Sequence, residues 1–204
     1  PAARVVSFSM KARAAISLAG HGGDAVTWFE KPSWVTSTAF TRAPVAWLER
    51  HTAQHPAELE PWTKLLPEQA YLFDDDAAEE KAPAGWQRTF PHTLKAPDAG
   101  EPSLDLWEQS PAADRALGRM AQAAVRELGL GRGRGLDYLA VSFSALDRVG
   151  HNFGPRSHEV QDVLARLDQT IGDLLDELDR RVGKGRYVVA LSADHGVAPY
   201  PEQT

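Results

Sequence analysis

The sequence predicts an α/β fold, in which a mostly parallel β-sheet is flanked by helices and interrupted by an irregular insertion or cap. Short apolar, β-branched segments alternate with helical segments towards both ends of the chain. Their order is strand, helix, strand, which is typical of parallel sheets. The middle of the chain differs, because it is rich in Pro and Trp and shows little periodicity.

The first 53 residues are predicted to form one part of the α/β core. Residues 4–9 (RVVSFS) are a β-branched run, and residues 11–19 (KARAAISLA) are rich in helix formers. Residues 25–30 and 34–38 alternate apolar and polar side chains around a Lys-Pro-Ser turn, which predicts a β-hairpin. A short helix is predicted over residues 43–51.

Residues 54–110 are predicted to be the irregular insertion, and residues 111–204 return to the α/β core. Ser110 and Pro111 are a typical N-cap and first helical residue, and the helix that they begin is expected to end at Gly129. Residues 136–144 (LDYLAVSFS) are apolar enough to predict a buried, parallel strand.

A long helix and a last strand complete the predicted core. Ser157 is expected to cap the helix, whose apolar side chains recur with a period of about 3.6 residues. These side chains are Val160, Val163, Leu164, Leu167, Ile171, Leu174, Leu175, Leu178 and Val182. Residues 186–192 (RYVVALS) predict another buried strand, so residues 136–192 are expected to form a parallel βαβ unit.

The composition limits the classes of function. A chain of 204 residues with 43% hydrophobic content can bury one sizeable core. Cys is absent, which excludes disulfides and thiolate metal sites, and the net charge of −6 argues against a nucleic-acid-binding surface. The apolar segments are too short to predict a membrane span. Because the chain has no initiator Met and stops just after a strong motif, we expect it to be a fragment.

Asp147 and His151 follow the predicted strand at residues 136–144 and are the first candidate metal ligands. Their i, i+4 spacing would place a carboxylate and an imidazole on one side of a helical turn, where both can meet one cation. Gly150, Gly154 and Pro155 predict an irregular backbone around the histidine. A helix-capping aspartate with an incidental histidine is the alternative interpretation.

Asp194 and His195 follow the next predicted strand and are followed by Gly196. Alone, such a pair could simply cap a loop by hydrogen bonding. Neighbouring strands of a sheet are about 5 Å apart, however, so two Asp-His pairs at successive strand ends could converge. Together the four side chains predict a metal centre built from carboxylates and imidazoles.

Lys11 and Arg13 follow the first predicted strand and are candidate anion-binding residues. A guanidinium can bind a phosphoryl group through two parallel hydrogen bonds, and an ammonium acts as a point charge. The alternative is a solvated basic helix start, although cations are disfavoured at a helix N-terminus. The residues alone leave both interpretations open.

The sequence around these candidate residues resembles that of the alkaline phosphatase superfamily and, within it, that of the bacterial monomeric, secreted alkaline phosphatases. The resemblance spans nearly the whole chain. Its segments are Ser9–Ile16, Gly20-His21, Trp28-Phe29, Trp34–Thr38, Ser142–Pro155, Arg166–Asp168 and Ser192–Gly196.

The resemblance implies a site with two zinc ions. Asp147 and His151 would bind one zinc, and Asp194 and His195 the other. A further histidine would follow Thr204, whereas an aspartate and the nucleophilic threonine would precede Pro1, so the chain alone is expected to be inactive.

The resemblance also implies a function. Lys11 and Arg13 would contact the phosphoryl group of a small-molecule phosphate monoester, and Ala12 replaces the acidic residue often found between them. The implied activity is two-metal phosphoryl transfer by a monomeric enzyme located in the periplasm or secreted. A phosphodiesterase or nucleotide pyrophosphatase of the same superfamily is the alternative enzyme. A non-catalytic metal-binding or interaction domain is the alternative from another class.

Overall fold

A computed structural model of the chain describes residues 3–40, 45–98 and 100–201. Within these residues, four strands form one sheet: β1 Val5–Ser9, β2 Ala25–Glu30, β3 Ser33–Val35 and β4 Tyr138–Ser142. The helices are α1 Ala12–Ala19, α2 Ala46–Gln54, α3 Leu104–Trp107, α4 Pro111–Glu127, α5 Ala145–Phe153 and α6 His158–Arg181. Short 3₁₀ helices cover Gly20–Gly22 and Glu68–Ala70. None of the helices in these ranges combines the length and apolar character needed to cross a bilayer.

The sheet confirms the predicted α/β fold. Its order is β3-β2-β1-β4, and β1 is parallel to both β2 and β4. Val6 and Phe8 point to one face of β1 and Ser7 and Ser9 to the other, and all four are fully buried. A strand covered on both faces is expected at the centre of a parallel sheet. β2 and β3 form the predicted hairpin, with a second strand shorter than expected.

The chain divides into two compact units. The first contains residues 1–56, 116–144 and 170–189 and holds the whole sheet. Its largest core cluster joins Phe8 to Trp47 of α2, whose rings meet edge to face at 6.1 Å between centroids. The other buried members are Val6, Ala25, Leu48, Leu117, Met120, Ala121, Ala123, Ala124, Val125 and Leu130.

The second unit contains residues 57–115, 145–169 and 190–204. It groups most of the predicted insertion with α5 and the first half of α6. This grouping by compactness differs from the predicted division into core and insertion at residues 1–53, 54–110 and 111–204. The predicted division stays a prediction. The irregularity of residues 54–110 matches expectation, because the elements described there are one 3₁₀ helix and the four-residue α3.

The helix boundaries agree with the local sequence signals. Ser110 accepts a hydrogen bond from the Ala112 N–H at the start of α4, and Ser157 accepts one from Val160 at the start of α6. α2 begins three residues later than predicted, and the predicted start of that helix at residues 43–44 lies outside the described residues.

The predicted strand at residues 186–192 is wrong for this structure. Among the described residues, no strand pairs with this segment, and the side chains of Val188 and Leu191 are 96% and 84% exposed. An apolar run becomes a buried strand only where a neighbour supplies backbone hydrogen bonds and a layer covers its faces. The βαβ unit predicted over residues 136–192 is therefore not closed here, and β1, α1 and β2 form the parallel unit instead.

One buried carboxylate ties the irregular segment of the second unit to α6. Asp162 is fully buried, and its Oδ1 accepts from Trp62 Nε1 at 2.7 Å and from Arg166 Nε at 2.5 Å. Its Oδ2 accepts from the Leu65 N–H and from the Tyr71 hydroxyl, both at 2.6 Å. Burial and this contact raise the pKa of Tyr71 to about 12. Three of these four donors, from Trp62, Leu65 and Tyr71, hold residues 62–71 against the helix, although the regular element described there is only the short 3₁₀ helix Glu68–Ala70.

Asp162→Ala is expected to destabilise the protein by about 3 to 5 kcal/mol, because it removes the acceptor of the Trp62 and Tyr71 side chains, of the Leu65 N–H and of Arg166 Nε. Asp173→Ala, on an exposed position of the same helix, is the control and should cost under about 0.5 kcal/mol. Urea denaturation measures both. Similar small losses for the two variants would show that water replaces Asp162 without cost.

A second buried polar cluster in this unit consists of the titratable side chains of His92, Glu159 and Glu80. His92 Nε2 and Glu159 Oε1 share a hydrogen bond of 2.8 Å, and both side chains are fully buried. Burial raises the pKa of Glu159 to about 8 and lowers the pKa of His92 to about 4. Glu80 is also buried, and burial together with the Glu159 carboxyl raises its pKa to about 8. Asp75 contributes to the upward shift of both glutamates.

The free energy of unfolding is therefore expected to fall as the pH rises to about 8. The unfolded chain releases these two protons near the ordinary value of 4.5, whereas the folded chain holds them until about 8. The loss is about 1.4 kcal/mol per pH unit for each glutamate in that window. Urea denaturation between about pH 7 and about pH 8 lies above the ordinary pKa of 6.5 at which His92 titrates in the unfolded chain. Glu80→Gln mimics the protonated form and should remove about half of the slope; an unchanged slope would contradict the assignment.

Candidate metal centre

α5 presents Asp147 and His151 on one side of the helix. α5 begins three residues after β4 ends, so the two side chains follow the strand as predicted. Asp147 Oδ1 lies 3.1 Å from His151 Nε2. The backbone differs from the prediction, because α5 is regular through Phe153 and the irregularity begins only at Gly154, which has a φ of 77°. A glycine in the left-handed region is a common way to end a helix.

His195, from the segment that follows α6, lies close to this pair. Its Nε2 lies 3.4 Å from Asp147 Oδ1, and its ring centroid lies 5.4 Å from that of His151. Ligand atoms of Asp147, His151 and His195 all lie within 4.8 Å of one another. One carboxylate and two imidazoles therefore lie close together.

Asp194 lies beside this cluster. Its Oδ1 accepts a hydrogen bond of 3.0 Å from the His195 N–H, and its Oδ2 lies 3.7 Å from His195 Nε2. The Asp194 side chain is 73% exposed. The structure thus brings three of the four predicted metal ligands together, with the fourth adjacent to them and open to solvent.

The segment that carries His195 passes close to Gly150 of α5 and to Gly154, which directly follows α5. A Cβ atom at Gly150 would lie 3.8 Å from Val197, and one at Gly154 would lie 2.5 Å from the ring of Tyr200. Any side chain at Gly154 would therefore displace Tyr200. Tyr200 was not among the predicted site residues, because a single aromatic residue gives no periodic signal that would reveal such a contact.

Lys11 and Arg13, the predicted anion-binding residues, belong to the first unit. Lys11 is the N-cap residue of α1, with an extended backbone, and its N–H donates to Ser9 Oγ at 3.1 Å. Arg13 is exposed in the first turn of the helix, which contains no acidic residue. A cation in the first turn of a helix is not stabilised by the helix dipole. The role of Lys11 and Arg13 in binding an anion stays a prediction.

The donors and their spacing suit a divalent cation. In a tetrahedral zinc site with bonds of about 2.0–2.1 Å, two ligand atoms are about 3.4 Å apart. The distance from Asp147 Oδ1 to His151 Nε2, the pair predicted to share one ion, is 3.1 Å and close to this value. The side chains of His151 and His195 are 63% and 45% exposed, so a cation held here could take further ligands. The residues present therefore fit a metal ion of this class.

A family model described as type I phosphodiesterase / nucleotide pyrophosphatase matches residues 5–204. The alkaline phosphatase PafA of Elizabethkingia meningoseptica is 37% identical over 203 residues, which are 96% of this chain and 37% of that protein. The alkaline phosphatase PhoV of Synechococcus elongatus is 32% identical and is matched over 97% of this chain and 37% of its own length.

Solved structures agree with the sequence relatives. The crystal structure of wild-type alkaline phosphatase PafA superposes with a TM-score of 0.83 and 34% identity, over 91% of this chain and 37% of that chain. The chain thus spans little more than a third of the length of the relatives that it matches. It belongs to the type I phosphodiesterase / nucleotide pyrophosphatase family of the alkaline phosphatase superfamily.

Proposed function

We propose that the full-length protein containing this chain is a zinc-dependent phosphatase that hydrolyses small-molecule phosphate monoesters at a two-metal site. The observation that carries the proposal is the convergence of Asp147, His151 and His195 within 4.8 Å. The similarity to alkaline phosphatases over nearly the whole chain supports the same reaction class.

In this proposal Asp147 and His151 hold one metal ion, and Asp194 and His195 hold the second. A metal ion bound there would act as a Lewis acid that stabilises negative charge on the phosphoryl oxygens. The chain's own contribution is to hold the ligands in place before the ion arrives. Asp147 supplies a negative charge between two imidazoles, and the contacts at Gly150 and Gly154 keep the segment of His195 against α5.

Lys11 and Arg13 are proposed to bind the phosphoryl group. A phosphate monoester carries more negative charge outside the metal pair than a diester does, so two added cations would favour monoesters. This charge argument is the reason to prefer a phosphomonoesterase. The proposed periplasmic or secreted location and the monomeric state rest on the family resemblance alone.

A phosphodiesterase or nucleotide pyrophosphatase is the second candidate. The description of the matching family favours it directly, because that description names both activities. The metal ligands would serve either reaction equally well. The two candidates therefore differ in what Lys11 and Arg13 do.

Metal removal tests the proposal. The full-length protein is dialysed against a chelator, and hydrolysis of p-nitrophenyl phosphate and of its methyl diester is measured before and after. We expect monoester activity to be lost and then restored by zinc, with about two zinc ions bound per chain. Activity that survives chelation with no metal bound would refute the metal-dependent mechanism, and faster diester hydrolysis would favour the second candidate.

A further inference from the structure

The helix that carries two proposed ligands has three distinct faces. Successive residues of an α-helix are about 100° apart, so Asp147, Arg148 and Val149 point in three different directions. Four residues later, His151, Asn152 and Phe153 repeat the same three directions. Val149 and Phe153 are fully buried. Arg148 and Asn152 therefore lie between the ligand face and the buried face.

Two consecutive residues outside the helix contact this intermediate face. Glu108 Oε2 accepts from Arg148 Nη1 at 3.0 Å, with the two side chains only 12% and 26% exposed. Gln109 Oε1 accepts from Asn152 Nδ2 at 3.2 Å. Each contact is made by the residue that directly follows a proposed ligand.

The two ends of the helix are held as well. Asp114, which is buried in the first turn of α4, accepts a hydrogen bond from the Ala145 N–H at 3.1 Å. A carboxylate beside the start of α5 accepts a hydrogen bond from a first-turn N–H, and its negative charge interacts favourably with the positive end of the helix dipole. At the other end, the Asn152 carbonyl accepts from the Lys81 N–H at 2.7 Å.

These contacts restrain rotation of α5 about its own axis. The buried face alone tolerates small rotations, because an apolar contact is not directional. A ligand atom about 6 Å from the helix axis would move about 2 Å if the helix turned by about 20°. Hydrogen bonds from Glu108 and Gln109 are directional and would be lost in such a rotation.

We propose that Glu108 and Gln109 are positioning residues, which fix the rotation of α5 through Arg148 and Asn152 and so aim Asp147 and His151 at the metal ion. The inference rests on the proposed metal site and adds a determinant of its affinity. Partners behind the ligands of a metal site commonly change its affinity by about tenfold to a hundredfold.

Arg148→Ala separates positioning from simple electrostatics, because the two predict opposite signs. Loss of a positive charge beside the site would tighten cation binding, whereas loss of the restraint on the helix would weaken it. Gln109→Ala changes no charge and should also weaken binding. Arg115→Ala is the control, since Arg115 forms a surface ion pair with Glu58, and neither residue belongs to α5.

The test measures zinc affinity of the metal-free full-length protein by competition with a chromophoric chelator, together with the unfolding temperature of each metal-free variant. We expect zinc affinity to fall about tenfold in Arg148→Ala and in Gln109→Ala and to stay unchanged in the control, and we expect the unfolding temperature of the uncharged variant Gln109→Ala to change little. The charge-reversed pair Glu108→Arg with Arg148→Glu should recover part of the loss.

Other outcomes overturn the inference. Unchanged or tighter zinc binding in Arg148→Ala would mean that the pair acts by charge alone. Weaker zinc binding in Gln109→Ala together with a large drop in its unfolding temperature would mean that the residues are structural only. Failure of the unaltered protein to bind zinc would instead refute the proposed metal site itself.

Discussion

Replacing both Lys11 and Arg13 by alanine in the full-length protein is expected to lower kcat/KM for p-nitrophenyl phosphate by about two to four orders of magnitude. Each charge-assisted hydrogen bond to the phosphoryl group is worth about 1.5 to 3 kcal/mol, or about tenfold to a hundredfold in rate. Hydrolysis of the matched methyl diester should fall far less, because a diester presents less charge to these side chains. Steady-state kinetics on both substrates gives the ratio.

Two controls make this result specific. Arg50→Ala removes another cation of the first unit, one that pairs with Glu127 on the surface, and should leave both rates unchanged. Arg13→Lys keeps the charge but loses the two-pronged hydrogen bonding, so its loss should be intermediate. Equal losses on the two substrates in the double variant would mean that the pair serves folding or general anion attraction. That outcome would support the phosphodiesterase candidate.

Local signals in the sequence were sufficient for most of the fold. Ser110, Ser157 and Gly129 predicted helix boundaries through hydrogen bonds and backbone conformations that involve only nearby residues. The strand β1 was predicted by its composition, since a β-branched run favours a strand. The pairing order β3-β2-β1-β4 could not be derived in this way, because order depends on contacts distant in sequence.

The segment at residues 186–192 shows the limit of composition. Its apolar residues meet the criteria for a buried strand, yet Val188 is 96% exposed. Apolar composition gives a tendency to be buried, but a strand also needs a partner with free backbone groups. The composition of residues 186–192 does not specify which strand would pair with them.

The candidate site shows a similar division between predictable and unpredictable contacts. The i, i+4 relation of Asp147 and His151 follows from helix geometry and needs no tertiary information. The approach of His195 to Asp147, by contrast, joins residues far apart in sequence, next to the places where Val197 and Tyr200 lie close to Gly150 and Gly154. Glu108 and Gln109 lie in the irregular region, where no periodicity predicts which neighbours they contact.

Asp147→Ala in the full-length protein is expected to cause a second large loss, lowering kcat/KM for the monoester by about a thousandfold or more. Metal ions typically supply several kcal/mol of charge stabilisation in the transition state, and that contribution disappears with the ion. Bound zinc should fall from about two ions to about one per chain. Elemental analysis after gel filtration measures the metal, and steady-state kinetics measures the rate.

Asp147→Asn sharpens the argument, because it keeps the shape of the side chain and removes only the charge. The carboxylate has two imidazoles within 3.4 Å and is only 22% exposed, so its charge dominates its surroundings. If coordination by the negative oxygen is the essential property, Asn should lose nearly as much metal and activity as Ala. Asp173→Ala, at an exposed position of α6, should change neither. Full zinc content in Asp147→Asn combined with a large loss of activity would assign Asp147 to orienting His151 and His195 by hydrogen bonding, and the ligand set proposed here would need another carboxylate.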